Sequence, residues 1–196
     1  MKQQNIIRAR NRLTTLLRRL ADRTEGAELL EFSLILPFLL VMLVGVIDFG
    51  GAWALKDKLA GAAREGARVA VAEFNDTNNP QCAGTPCSVQ AAASAVTTYL
   101  TNAGVNTCGF DPSTTAPAAG TFTWTYTASS CANPWTIVVE RAVPVTSNGT
   151  NAMCTRVTLS FPYSWNFGSV MGLMVGANSF GTTITLNSAE IMTNLN

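Results

Sequence analysis

The stretch that decides the fold is FSLILPFLLVMLVGVI, from Phe32 to Ile47, which contains no charged residue. Its apolar character continues more weakly into residues 27–30 and 49–55. A helix needs about 20 apolar residues to cross a hydrocarbon layer of about 30 Å, so the run must recruit its flanks to span a membrane. A buried helix of a soluble core is the alternative, but such a helix carries a polar stripe and this segment is apolar all round. The sequence therefore predicts a transmembrane helix.

The composition and the charge distribution agree with a membrane-anchored chain. Only 13% of the 196 residues are charged, against roughly 25% in soluble domains, and the length allows one modest domain with an accessory segment. Seven of the 13 Lys and Arg residues precede residue 26, and Lys56, Lys58, Arg64 and Arg68 follow the apolar run. The excess before the run places the N-terminus in the cytoplasm. No nucleic-acid partner is expected, because the rest of the chain is nearly uncharged.

Two different cleavage sites compete around the apolar run. A secretory signal would be cut after Ala52-Trp53-Ala54, an A-x-A site, and the apolar helix would be lost. However, the basic region before the helix is some thirty residues long, which is too long for such a signal. A cut on the cytoplasmic side of the helix would instead leave the helix in place as an anchor.

The second interpretation is supported by GAELLEF, from Gly26 to Phe32, which resembles the type IV prepilin cleavage motif of the Flp and TadE-like kind. That motif is a glycine, four residues, then a glutamate and an aromatic residue. EFSLILP at 31–37, VIDFG at 46–50 and AAREGAR at 62–68 look like the remainder of the TadE-like N-terminal signature. The resemblance covers roughly residues 24–72 and implies a minor pilin or pseudopilin of a tight-adherence pilus or a related secretion apparatus, with adhesion downstream.

The resemblance also implies roles for four residues. A prepilin peptidase would cut between Gly26 and Ala27, so that Glu31 and Phe32 become the fifth and sixth residues of the mature chain. Glu31 would pair with the new amine of Ala27 in a neighbouring subunit and set the helix register. A carboxylate that snorkels to lipid headgroups is the simpler alternative. The implied partners are the peptidase, other pilin subunits, membrane lipid and the assembly platform of the bacterial inner membrane.

All five cysteines follow the apolar run, in a polar stretch suited to an oxidising compartment: Cys82, Cys87, Cys108, Cys131 and Cys154. Two bridges and one free thiol can be arranged in fifteen ways. We favour Cys82–Cys87, because Gly84 and Pro86 allow the short loop to turn, and then Cys108–Cys131. No metal site is expected, because there is no histidine and the closest cysteines, Cys82 and Cys87, are separated by four residues.

The predicted fold is α+β and pilin-like. Residues 1–26 form a basic leader, residues 27–74 the membrane and assembly helix, and residues 75–196 an exported domain with disulfides. We expect a second helix from Val89 to about Asn102 with Ser88 as its N-cap, and an antiparallel sheet of about four strands. The expected strands are the alternating segment 121–127, with Phe122, Trp124 and Tyr126 on its core face, followed by 135–143, 154–163 and 180–187.

Some features of the assembly helix allow two interpretations. Ala54, Ala62, Gly66 and Ala70 form a stripe of small side chains that suits close approach of a neighbouring helix or packing against the chain's own domain. Asp48 would either cap the exit from the membrane or contact another subunit. The sequence does not separate these possibilities.

The sequence favours a structural protein over an enzyme. Without histidine there is no Ser-His-Asp or Cys-His arrangement, and the exported carboxylates Asp111, Glu140 and Glu190 are scattered along the chain. No glycine-rich phosphate loop is present, so no cofactor is expected. The remaining alternative is a single-pass envelope protein that binds a surface ligand and does not polymerise.

Overall fold

The computed structural model describes residues 24–72, 76, 78–82, 84–147, 150–165 and 183–194. The predicted basic leader lies outside these residues except for its end. The chain divides into two compact units, Met1–Ile47 and Asp48–Asn196. The N-terminal unit contains the first part of helix α1, which runs from Thr24 to Ala72 with Pro37 in its interior.

The second unit combines two helices with an antiparallel sheet, which confirms the predicted α+β class. Helix α2 runs from Cys87 to Asn102. The short strands β1 (Asn78–Asn79) and β2 (Thr85–Pro86) pair with each other, and a single 3-10 turn at Pro80–Cys82 lies between them. The main sheet has five strands: β3 (Ala118–Gly120), β4 (Thr123–Ala128), β5 (Trp135–Ser147), β6 (Thr150–Ser164) and β7 (Thr183–Thr193).

The five strands form a meander in which each strand pairs with its neighbour in sequence, in the order β3-β4-β5-β6-β7. Short hairpin connections suit this arrangement, because antiparallel strands need no crossover. The register between β5 and β6 shifts between Glu140 and Val143, where Ala142 has a positive φ of 57°. Such a bulge bends the strand and increases its twist.

The hydrophobic core of the second unit is formed by both helices and the sheet. Helix α1 contributes mainly alanines and helix α2 a mixture of alanine, valine and leucine, while the sheet supplies most of the large side chains. The fully buried members include Leu59, Ala62, Ala63, Ala67, Ala70, Val89, Ala92, Ala93, Val96, Leu100, Tyr126, Ile137, Val139, Val157 and Leu159. Small side chains on α1 and large ones on the sheet allow close approach of the backbones at native packing density.

Three details differ from the sequence prediction, besides the ends of β5, β6 and β7. Helix α2 begins at Cys87, so Ser88 lies in its first turn and is not the N-cap. Phe122 has a φ of 56° and its side chain is 58% exposed, so β4 starts at Thr123, two residues later than predicted, and only Trp124 and Tyr126 of the alternating aromatics are buried. The main sheet has five strands rather than about four, because the short edge strand β3 lies in a segment that reads as a loop.

Candidate membrane and assembly segment

The N-terminal part of helix α1 exposes large apolar side chains over most of its surface. From Leu29 to Trp53 these side chains are between 38% and 76% exposed, and they belong to Leu29, Leu30, Phe32, Leu34, Ile35, Leu36, Phe38, Leu39, Leu40, Met42, Leu43, Val46, Ile47, Phe49 and Trp53. Soluble monomers rarely expose a continuous apolar surface of this kind. Among the described residues, one helix is long and apolar enough to cross a membrane, and its most apolar window is 0% buried. The segment is thus compatible with a single-pass membrane anchor.

The four residues of the proposed cleavage and register motif all lie near the start of this helix. Gly26 and Ala27 are its third and fourth residues, and Gly26 is exposed. Glu31 is also exposed, and Phe32 beside it is 61% exposed. Gly26 lies in the first turn of α1, where the backbone N–H groups have no intrahelical partner.

Asp48 marks the end of the uncharged run and is buried, with only 2% of its surface exposed. The hydroxyl of Tyr163, near the end of β6, donates a hydrogen bond of 3.0 Å to the backbone carbonyl of Asp48. A Cβ on Gly51 would lie 2.8 Å from the same hydroxyl, so a glycine is needed for this close approach. Asp48 is therefore held inside its own domain and does not face outward from the helix.

The small-residue stripe packs against the chain's own domain rather than being left free. Ala62 and Ala70 are fully buried, and a Cβ on Gly66 would lie 2.5 Å from Cγ2 of Val96 on α2. Ala54, by contrast, is exposed. Gly66 thus lets α1 and α2 approach closely, which explains a glycine in the interior of a helix.

Four of the five cysteines form the two bridges that we favoured. Cys82 is joined to Cys87, and Cys108 to Cys131. Cys154 is a free thiol and is buried in β6, with 2% of its surface exposed. The first bridge closes the turn that leads into α2, and the second ties the loop after α2 to the connection between β4 and β5.

A buried polar network was missed by the sequence analysis. One carboxylate oxygen of Asp76 accepts hydrogen bonds from Arg141 Nη1 at 2.7 Å and Ser88 Oγ at 3.0 Å, and the other accepts one from the Ser88 backbone N–H at 2.7 Å. Asp76 therefore caps helix α2 from outside its own sequence. The Arg141 side chain is 3% exposed and its guanidinium lies 5.7 Å from the Trp124 ring centroid.

The three scattered carboxylates of the second unit, Asp111, Glu140 and Glu190, each contact a different residue. Glu140 pairs with Arg156 at 3.3 Å and Glu190 with Arg64 at 3.6 Å. The Asp111 carboxylate accepts hydrogen bonds from the Ser113 hydroxyl and backbone N–H, which lower the pKa of Asp111. Each group thus has a separate structural contact.

The helical segment matches a known protein family. Residues 26–68 match the family model of TadE-like proteins. The matched segment begins at the glycine of the proposed cleavage motif and ends within the part of α1 that packs in the core. No curated protein and no solved structure matches the chain. Over residues 26–68 the chain is TadE-like, and this family indicates a part in the assembly of tight-adherence pili.

Proposed function

We propose that this protein is a pilin-like structural subunit of a tight-adherence pilus, and that its helix α1 is processed after Gly26 and then buried in the filament. The observation that carries the proposal is the exposed carboxylate of Glu31 at the start of an exposed apolar helix, within the TadE-like segment. A charge in that position has a physical cost in a membrane or a helical bundle unless it gains a partner. Assembly supplies such a partner.

The partner is created by processing. Cleavage between Gly26 and Ala27 leaves a positively charged amine at the start of α1, one helical turn before Glu31. In the low dielectric of a helix bundle, an amine and a carboxylate attract each other far more strongly than in water. A pair formed between neighbouring subunits therefore fixes how far one helix is shifted along the next, and the apolar side chains such as Phe32 complete the contact.

The first experiment measures the intact mass of the protein recovered from the membrane fraction. A mature chain that begins at Ala27 agrees with the proposal, whereas a start at Leu55, or an uncut chain, contradicts it. Gly26→Ala should be processed better than Gly26→Leu, because a peptidase subsite adapted to glycine has no room for a large side chain.

The second experiment separates assembly from anchoring. Glu31→Gln keeps the size of the side chain and removes its charge, and Glu28→Gln is the matched control, since Glu28 is exposed on the same part of α1. We expect Glu31→Gln to remain in the membrane but to be lost from sheared pili, while the control is incorporated normally. Normal pili with Glu31→Gln would favour the alternative of an envelope-anchored surface-binding protein.

The proposal includes a minor rather than a major subunit, with adhesion as its downstream role and with the prepilin peptidase and the inner-membrane platform as partners. It places the N-terminus in the cytoplasm and the disulfide-containing unit outside the inner membrane, which suits the two bridges. A non-catalytic role is supported by the lack of histidine and by the separate contacts of Asp111, Glu140 and Glu190.

A further inference from the structure

Two pairs of aromatic residues lie close to the point where the uncharged run of helix α1 ends. Phe49 and Trp53 are neighbours on the helix surface with ring centroids 6.4 Å apart, and each is 62% exposed. Tyr163 and Trp165 at the end of β6 have ring centroids 5.1 Å apart at an angle of 84°. We call Phe49, Trp53, Tyr163 and Trp165 the aromatic cluster.

The two aromatic pairs lie at one level on opposite sides of the helix axis. Tyr163 lies over the side of α1 that carries Gly51, as its hydrogen bond to the Asp48 carbonyl shows. At 100° per residue, Phe49 and Trp53 lie on the opposite side of the helix from Gly51. All of these helix positions fall within roughly 8 Å along the axis, at 1.5 Å per residue. That is about the thickness of the zone between hydrocarbon and water on one side of a bilayer.

The chemistry of the cluster suits that zone. Tryptophan and tyrosine concentrate at membrane interfaces, because each combines an apolar ring with a polar group that remains hydrated. Burial, and secondarily the Asp48 carboxylate, raise the pKa of Tyr163, so its hydroxyl stays protonated and can donate. The ends of the two strands at this level, Tyr163–Trp165 and Thr183–Ile184, carry no charged side chain.

The burial of Asp48 removes the difficulty that the uncharged run is short for a membrane span. Between Phe32 and Leu55 the only ionisable side chain is Asp48, and it is shielded inside the second unit. The apolar surface that α1 exposes therefore extends from Phe32 to Trp53, about the 20 residues needed to cross roughly 30 Å of hydrocarbon. Lys56 is the next charged residue along the helix.

We propose that the aromatic cluster is a lipid-binding surface that seats the exported unit on the outer headgroup region of the membrane. The inference rests on the membrane anchoring contained in the proposed function, and it adds the depth at which the helix leaves the lipid. Its occupant is the lipid interface, because the cluster continues the exposed apolar surface of the span.

The test uses the full chain in phosphatidylethanolamine and phosphatidylglycerol vesicles that contain a lipid spin label placed near the headgroup or near the bilayer centre. Tryptophan emission should be quenched more strongly by the shallow label than by the deep one. Of the four tryptophans, Trp124 and Trp135 are buried in the core, with 8% and 1% of their surface exposed, so they should contribute little to the quenched emission. Trp53→Phe and Trp165→Phe should therefore each remove about half of the emission that the shallow label quenches. Trp124→Phe is the matched control and should leave that quenched emission unchanged.

Vesicle flotation separates failure of this inference from failure of the anchoring. If the protein floats with the vesicles but Trp53 is quenched only by aqueous iodide, or by neither label, the aromatic cluster does not contact lipid and the inference is wrong while the anchor stands. Stronger quenching of Trp53 by the deep label would also overturn it. If the protein does not float, both the anchoring and the inference are wrong.

Discussion

Replacing Gly66 by alanine should destabilise the second unit, although alanine is the better helix former. A Cβ at this position would lie 2.5 Å from Cγ2 of Val96 and 3.4 Å from Cγ1 of Val157. Carbon atoms in contact are normally about 3.5–4.0 Å apart, so the new methyl group overlaps Val96 by roughly 1 Å. Val96 is fully buried, and a valine on a helix has essentially one χ1 rotamer, so it cannot turn away.

The expected magnitude comes from two opposing effects. Overpacking of a core costs about 1–3 kcal/mol, and a rigid buried neighbour places this site near the upper end. The change from glycine to alanine inside a helix returns about 1 kcal/mol. The free energy of unfolding should therefore fall by about 2 kcal/mol, which corresponds to a decrease in Tm of roughly 4–8 °C for a unit of this size.

The assay is denaturant unfolding of the full chain in detergent, followed by tryptophan emission from the buried Trp124 and Trp135. Gly50→Ala is the matched control, because it also lies in α1 but a Cβ there would meet nothing within 4 Å. This control should be neutral or slightly stabilising. Adding Val96→Ala provides a double-mutant cycle, because that change removes the methyl group responsible for the overlap.

Two results would refute this reasoning. The first is a Gly66→Ala variant as stable as Gly50→Ala, which would mean that α1 and α2 are not packed as closely as the structure shows. The second is additivity in the cycle. Val96→Ala alone should cost about 2 kcal/mol or more, and this cost should fall by more than half when residue 66 is alanine.

Two further predictions concern the polar network and the bridges. Asp76→Ala should lower the free energy of unfolding by about 3 kcal/mol in the same assay, because it leaves the buried Arg141 guanidinium without its carboxylate, and a loss below 1 kcal/mol would contradict this. Removing the Cys108–Cys131 bridge, with a sequence separation of 23, should cost about 3 kcal/mol, and removing Cys82–Cys87, with a separation of 5, about 2 kcal/mol. Thermal unfolding of the paired alanine variants measures both, and the reverse order would argue against chain entropy as the cause.

The parts of the fold that could be predicted from sequence are those set by local patterns. The apolar run from Phe32 to Ile47 defines a helix through its composition alone, and the alternating segment 121–127 defines a strand through its period of two. The structure also contains the two bridges that we favoured, Cys82–Cys87 and Cys108–Cys131. In each bridge the two cysteines follow one another in the order of cysteines along the chain, and the shorter loops between such cysteines cost less entropy to close.

The parts that could not be predicted depend on residues far apart in sequence. Ser88 has the right chemistry for an N-cap, but the carboxylate that caps α2 comes from Asp76, which is joined in turn to Arg141 from β5. Phe122 continues the aromatic alternation, yet its backbone turns before the strand begins and the side chain faces outward. In both cases the residue type suits the predicted local structure, but contacts with residues far away in sequence determine the structure that forms.

Asp48 determines how far the apolar surface of α1 extends. Because its burial depends on the folded sheet, this extent could not be predicted from the sequence of the helix alone. As a bare carboxylate it would end the apolar surface of α1 after Ile47, which is too early to cross a bilayer. Its burial, with Tyr163 bonded to its carbonyl across Gly51, depends on the folded sheet. Folding of the second unit therefore lengthens the uncharged exposed surface of the helix by about one and a half turns, from Ile47 to Trp53. Anchoring and folding are in this way coupled, since a chain with an unfolded sheet would present a charged carboxylate at the level where the structure presents aromatic rings.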